Sequence, residues 1–117
     1  MLRLLHAARN TWLGLCAAAR SEQAFRQEVV VLVLAVPLAF FLAKDAGRWL
    51  ALVGIILLVM VVELLNTAIE KLSDQVAPHR DDAIGRIKDM GSAAVGLSLL
   101  IAGLVWLLAI GERLGLL

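Results

Sequence analysis

Apolar stretches separated by short charged segments run through most of this 117-residue chain. Three stretches are largely apolar, at residues 29–43, 49–69 and 91–110. Because a helix rises about 1.5 Å per residue, the second and third can cross the ~30 Å hydrocarbon core of a bilayer. The first reaches a similar length once the turn before it is included. The pattern therefore predicts transmembrane helices over 25–44, 48–70 and 90–111, with a charged connection over 71–88.

The segment before the first apolar stretch has helical spacing without a continuous apolar run. Its apolar residues fall on one face, namely Leu5, Ala8, Trp12 and Leu15. Its polar residues fall on another, namely Arg3, His6 and Asn10. This spacing predicts an amphipathic helix over residues 1–20 that lies in the membrane surface. The predicted fold is all-α, with a surface helix and three transmembrane helices in one membrane domain over residues 1–117.

Composition and charge agree with an integral membrane protein. Hydrophobic residues make up 62% of the chain and the net charge is +1, which excludes a typical soluble or nucleic-acid-binding domain. Basic residues cluster on one side of the predicted topology: Arg3, Arg9, Arg20, Arg26, Lys71, Arg80, Arg86 and Lys88. The other side carries only Lys44, Arg48 and Arg113. Since cytoplasmic segments are enriched in basic residues, the N-terminus and the long connection are expected in the cytoplasm.

A polar stripe interrupts the end of the second apolar stretch. Glu63, Asn66 and Glu70 are offset by three and seven residues, so they fall within roughly 60° of each other on a helix. A carboxylate near hydrocarbon costs on the order of 2 to 3 kcal/mol unless it is neutral, paired or bound to a metal. The stripe is therefore a candidate functional site.

Other polar groups are expected on the same side of the membrane. Glu22 and Glu28 flank the junction between the surface helix and the first span, and Lys88 precedes the third span. Two carboxylates and a lysine suit a Mg²⁺-bound polyphosphate, because Mg²⁺ favours one or two carboxylates together with phosphate oxygens. Glu63 lies about 10 Å deeper along the helix than Glu70. Depth thus favours Glu63 as a base for a lipid hydroxyl and Glu70 as a metal ligand.

Three segments resemble a known family: residues 22–28 (EQAFRQE), 62–70 (VELLNTAIE) and 88–95 (KDMGSAAV). They are similar to the signatures of the prokaryotic diacylglycerol kinase family, and the likeness covers nearly the whole chain. It implies a homotrimer of small three-span subunits in a bacterial inner membrane. It also implies transfer of the γ-phosphoryl group of ATP to diacylglycerol, which yields phosphatidic acid.

The same resemblance implies roles for individual residues. Glu63 is implied as the catalytic base, and Glu22 with Glu70 as ligands of the nucleotide-bound Mg²⁺. The residues implied at ATP are Arg3, Asn10, Glu22, Glu70, His79, Arg80, Asp81, Lys88 and Asp89. Those implied at the lipid substrate are Arg3, Trp12, Glu28, Glu63, Asn66 and Ser92. For Ser92 an alternative stays open, because small residues such as Ser92, Gly96 and Gly103 also favour close helix packing in membranes.

Alternative functions also stay open at this point. A sister branch of the family phosphorylates undecaprenol, although the KDMGSAA form of residues 88–94 is more similar to the diacylglycerol branch. A proton-coupled transporter subunit would place a lone carboxylate near the bilayer midplane, whereas Glu63 is off-centre and has acidic and basic neighbours. In a purely structural helix bundle, the polar groups would pair internally and only fix the packing.

Overall fold

The computed structural model describes residues 1–79 and 81–117. Within these residues the chain forms four α-helices: α1 Leu2–Ser21, α2 Gln23–Leu42, α3 Ala46–Val76 and α4 Asp82–Arg113. The last three are long and apolar enough to cross a membrane. The all-α fold with an N-terminal helix and three membrane-crossing helices is therefore confirmed.

Helices α3 and α4 extend beyond the spans that the hydropathy pattern predicts, whereas α2, at Gln23–Leu42, is shifted two residues toward the N-terminus relative to the predicted 25–44. Helix α3 continues to Val76 and α4 begins at Asp82, so the connection is far shorter than the predicted 71–88. The prediction placed the ends of the membrane spans near the ends of the apolar stretches. Charge marks the end of the hydrocarbon, but Glu, Lys and Leu are good helix formers and continue the helix into water.

A single residue separates the N-terminal helix α1 from α2. Glu22 has extended backbone (φ −121°, ψ 113°), which breaks the helix between Ser21 and Gln23. Arg26 Nη1 donates hydrogen bonds to the carbonyl oxygens of Ala19 at 2.9 Å and Arg20 at 3.2 Å. Carbonyl groups at a helix end otherwise lack partners, so this arginine stabilises the bend that positions Glu22.

Helix α3 is the centre of the bundle. It packs against α2 on one side and α4 on another, while α2 and α4 contact each other little. Its buried residues Leu52 and Ile56 meet small residues of the neighbours, including Ala35 and Ala109. Small residues allow helix backbones to approach closely, where dispersion forces drive association in lipid. Most other large apolar side chains point outward, as expected for a surface solvated by acyl chains.

The end of the bundle opposite Glu22 is closed by ionic contacts. The side chain of Glu112, in the last turn of α4, accepts a hydrogen bond from Arg48 Nη2 at 2.9 Å and lies 3.1 Å from Lys44 Nζ. Asp45 caps α3 by accepting a hydrogen bond from the Arg48 amide at 2.8 Å. These contacts fix the α2–α3 turn against the C-terminal end of α4.

Candidate active site

Glu63, Asn66 and Glu70 all lie within the continuous helix α3. Asn66 is buried and its Nδ2 donates a hydrogen bond to Glu70 Oε1 at 3.3 Å. Glu63 lies two turns before Glu70 on the helix and interacts electrostatically with Glu70, Glu22 and Glu28. Glu63 on α3 therefore shares an electrostatic environment with Glu22 at the α1–α2 junction and with Glu28 on α2. We call this end of the bundle, with Glu22, Glu63, Glu70 and Lys88, the polar end.

Glu22 is brought against α3 by a lysine. The Nζ atom of Lys71 lies 3.7 Å from Glu22 Oε1 and donates a hydrogen bond to Ser21 Oγ at 2.9 Å. Lys71 follows Glu70 directly in the chain. The contact therefore joins the α1–α2 junction to the part of α3 that carries the second proposed metal ligand.

Lys88 supplies the third element of the polar end. Its Nζ atom lies 2.6 Å from Asp74 Oδ1, and Asp74 is one turn beyond Glu70 on α3. Lys88 also interacts electrostatically with Glu70. An ammonium group is thus held beside the α3 carboxylates, where it can attract a phosphate group. By contrast, Asp89 and Ser92 are exposed in the single chain.

A close approach of α4 to α3 explains one residue of the 88–95 motif. A Cβ atom at Gly91 would overlap Asn66 Oδ1 and would lie 3.2 Å from Asn66 Cγ. Only glycine leaves room for the Asn66 amide at this crossing. Asn66 Oδ1 is buried against this glycine with no hydrogen-bond partner among the described residues. A similar approach is not seen at Gly96 or Gly103, where nothing lies within 4 Å of an added Cβ.

An apolar groove opens from the polar end along the bundle. It has a volume of about 470 Å³ and is lined by residues of α2, α3 and α4, from Glu28 at one end to Trp106 near the other. Of the described residues that line it, Glu28 alone is ionisable, and its Oε1 is buried with no hydrogen-bond partner in that part of the chain. The groove can hold an alkyl chain, with a polar end group near Glu28 and Glu63.

Several predicted site residues do not meet the polar end within one chain. Arg3 and Trp12 are exposed on α1, and Arg3 lies about 27 Å from Ser21 along the helix axis. Asn10 lines a groove of about 390 Å³ between α1 and α3, which Lys71 also lines. His79 is exposed, and Asp81 caps α4 by accepting hydrogen bonds from the amides of Ala83 and Ile84. Arg80 lies outside the described residues.

Sequence reasoning missed Lys71 and Ser21 and gave Asp74 no role. Lys71 and Ser21 are 50 residues apart in the chain, and no local pattern signals their contact. The part of the chain that the structure describes has no group of three or more His, Cys, Asp or Glu side chains arranged around a metal position.

Comparison with known proteins identifies relatives over almost the full length. The family model described as prokaryotic diacylglycerol kinase matches residues 9–110. The chain is 42% identical over 113 residues to the diacylglycerol kinase of Escherichia coli (strain K12), which covers 97% of this chain and 93% of that protein. It is 37% identical to the diacylglycerol kinase of Haemophilus influenzae, with coverage of 91% and 90%. For that of Pseudomonas aeruginosa the identity is 39%, with coverage of 89% and 85%. The resemblance is confirmed.

The crossing of α4 over Asn66 is open to a direct test. Replacing Gly91 with alanine should lower the free energy of unfolding by about 1 to 3 kcal/mol, because the added methyl group overlaps the buried amide. Gly96→Ala on the same helix meets open space and should not destabilise. Unfolding in detergent micelles, followed by circular dichroism, measures both. Equal stabilities of the two variants would contradict the close approach.

Proposed function

The chain belongs to the prokaryotic diacylglycerol kinase family, and we propose that it transfers the γ-phosphoryl group of ATP to diacylglycerol, forming phosphatidic acid. It is a bacterial membrane protein and a lipid kinase. The observation that carries the proposal is that Lys71 Nζ of α3 lies 3.7 Å from Glu22 Oε1 and Lys88 Nζ of α4 lies 2.6 Å from Asp74 Oδ1, so acidic groups from two segments and a lysine lie at one end of three apolar helices. That end faces the cytoplasm in our proposal, since most basic residues lie on that side.

Glu22 and Glu70 are proposed to hold the Mg²⁺ ion of Mg-ATP. Two carboxylates from separate segments suit this ion, because phosphate oxygens and water complete its coordination. When bound, Mg²⁺ would neutralise charge on the β- and γ-phosphate oxygens during transfer. Lys88, which lies on α4, would contact phosphate oxygens. Its ion pair with Asp74 holds its ammonium group near Glu70. Asn66 holds Glu70 in position through its amide.

Glu63 is proposed as the general base. The hydroxyl oxygen of the lipid forms a bond to the γ-phosphorus while the bond from that phosphorus to the leaving oxygen of ADP breaks. The hydroxyl proton passes to the Glu63 carboxylate, and the leaving electron pair stays on ADP. Glu63 suits this role because it lies about 10 Å deeper than Glu70, on the lipid side of the proposed metal ligands.

The lipid is proposed to lie in the apolar groove between α2, α3 and α4. An acyl chain would occupy the apolar part, and the glycerol hydroxyl would reach Glu63 beside Glu28. A polyisoprenoid alcohol presents similar chemistry, namely an apolar chain with a terminal hydroxyl. Undecaprenol is therefore the alternative substrate, and the names of the relatives favour diacylglycerol.

A homotrimer is proposed as the working form. Arg3, Asn10 and Trp12 project from α1, and Arg3 and Trp12 lie away from the polar end of their own chain. They would reach ATP or the lipid headgroup if α1 of a neighbouring subunit covers the site. The large outward-facing apolar surface of α2 and α4 is available for such contacts. His79, Arg80 and Asp89 stay predicted nucleotide contacts in this assembly.

The proposed roles of the two α3 carboxylates predict different defects. Glu63→Gln should lower kcat for lipid phosphorylation by about 100- to 10,000-fold, because it removes the base, while Mn²⁺–nucleotide binding is retained. Glu70→Gln should weaken Mn²⁺–nucleotide binding, measured by electron paramagnetic resonance. Glu112→Gln, at the opposite end of the bundle, is the matched control.

Purified protein incubated with Mg-ATP and either diacylglycerol or undecaprenol tests the reaction itself. Phosphatidic acid as the product supports the proposal. Phosphorylation of undecaprenol alone would assign the chain to the sister activity. Normal turnover by the Glu63→Gln variant would remove Glu63 from the role of base.

The groove predicts a selective effect on lipid binding. Gly103 lines it and an added side chain there meets open space, so Gly103→Leu should partly fill the acyl-chain site. The KM for long-chain diacylglycerol should rise at least about fivefold, corresponding to ~1 kcal/mol of steric conflict, while the KM for Mg-ATP stays unchanged. Gly54→Leu is the control, because Gly54 has open space and does not line the groove. Equal lipid KM values for both variants would place the lipid elsewhere.

A further inference from the structure

Lys71 places an ammonium group against Glu22, a carboxylate that we propose as a metal ligand. Its Nζ atom lies 3.7 Å from Glu22 Oε1, and the two side chains are 57% and 31% exposed. The same ammonium group donates to Ser21 Oγ at 2.9 Å. Ser21 Oγ itself donates to the Ala17 carbonyl at 2.9 Å, which leaves its lone pairs free for the lysine. Lys71 therefore has two acceptors, of which only one is ionic.

Glu22 lies among other carboxylates, and the contact with Lys71 compensates their negative charge. Glu22, Glu28 and Glu70 all interact electrostatically with Glu63, and like charges at short range repel. Lys88 compensates the α3 side through Asp74 and Glu70. Among the described residues, Lys71 is the cation in contact with Glu22. Without Lys71 and without a bound metal ion, repulsion from the Glu63 carboxylate would push Glu22 away from α3.

We propose that Lys71 is an internal counter-ion for Glu22, which a divalent cation displaces when it binds. The ammonium group holds the Glu22 carboxylate against α3 in the cation-free protein. On cation binding it moves off Glu22 and keeps its hydrogen bond to Ser21, which a flexible four-carbon stem permits. Lys71 thereby competes with the metal and sets the affinity of the site. The inference rests on the proposed role of Glu22 as a metal ligand.

The competition is expected to be modest. Both side chains are substantially exposed, and an exposed ion pair of this kind is weak and screened by salt. A weak competitor lowers metal affinity without abolishing binding. Removal of Lys71 should therefore tighten binding of the metal by about two- to fivefold.

Titration of the full-length protein in detergent micelles with Mn²⁺ alone, followed by electron paramagnetic resonance, tests this directly. Lys71→Met should lower the Kd for Mn²⁺ by about two- to fivefold. Arg20→Met is the matched control, because it removes the same charge two residues from Glu22 and no ion pair of Arg20 is present in the described part of the chain. Its Kd should stay close to that of the wild type.

A double substitution distinguishes the loss of the Lys71–Glu22 ion pair from a general loss of positive charge near the site. In a Glu22→Gln background, Lys71→Met should leave the Kd for Mn²⁺ unchanged, since the carboxylate for which the lysine competes is gone. The same tightening in that background, or with Arg20→Met, would overturn the proposal. So would an unchanged or raised Kd for Lys71→Met, or a wild-type protein that binds no Mn²⁺.

Failure of this inference is distinguishable from failure of the proposed function. If the wild type phosphorylates diacylglycerol and Lys71→Met does not alter Mn²⁺ binding, only the role of Lys71 is wrong. If no lipid is phosphorylated, the kinase proposal fails whatever the Mn²⁺ titration gives.

Discussion

The cost of placing a carboxylate beside hydrocarbon is the constraint on which this structure depends. Helix α3 carries Glu63 and Glu70 at the end of a long apolar stretch, where each charge needs a partner or a ligand. The fold meets that need with groups from other segments. The break at Glu22 turns a carboxylate and a serine toward Lys71, and α4 brings Lys88 to Asp74. The short breaks between helices thus decide the chemistry of the polar end.

The carboxylates at the two ends of the bundle differ in how far they are ion-paired. This difference distinguishes a binding site from a purely structural polar cluster. At one end, Glu112 is ion-paired with both Arg48 and Lys44. At the other, the ion pairs among the described residues use Glu22 and Asp74 but not Glu63. Buried oxygens of Glu28 and Asn66 also lack hydrogen-bond partners in the described part of the chain. Buried polar atoms without partners are costly. At the opposite end, Arg48 Nε and Glu112 Oε1 lie 2.9 Å apart and compensate each other's charge, whereas no ion pair involves Glu28 or Asn66 in the described residues.

Much of this arrangement could be predicted because it depends on local periodicity. The three spans follow from apolar length, and the Glu63–Asn66–Glu70 stripe follows from helical spacing. The ends of α3 and α4 could not be predicted from hydropathy, because the helix continues after the hydrocarbon ends. Contacts between segments that are distant in the chain also could not be predicted. The sequence carries no local signal for the pairing of Lys71 with Glu22 or for the position of Gly91 beneath Asn66.

The central claim is that Glu22 and Glu70, from separate segments, hold the cation of the nucleotide while the deeper Glu63 stays free for the lipid hydroxyl. Anomalous diffraction from crystals grown with Mn²⁺ and a non-hydrolysable ATP analogue tests this most directly. The account predicts a manganese peak between the carboxylates of Glu22 and Glu70, next to the phosphates, with no peak on Glu63. A peak centred on Glu63, or a nucleotide bound away from the polar end, would contradict it.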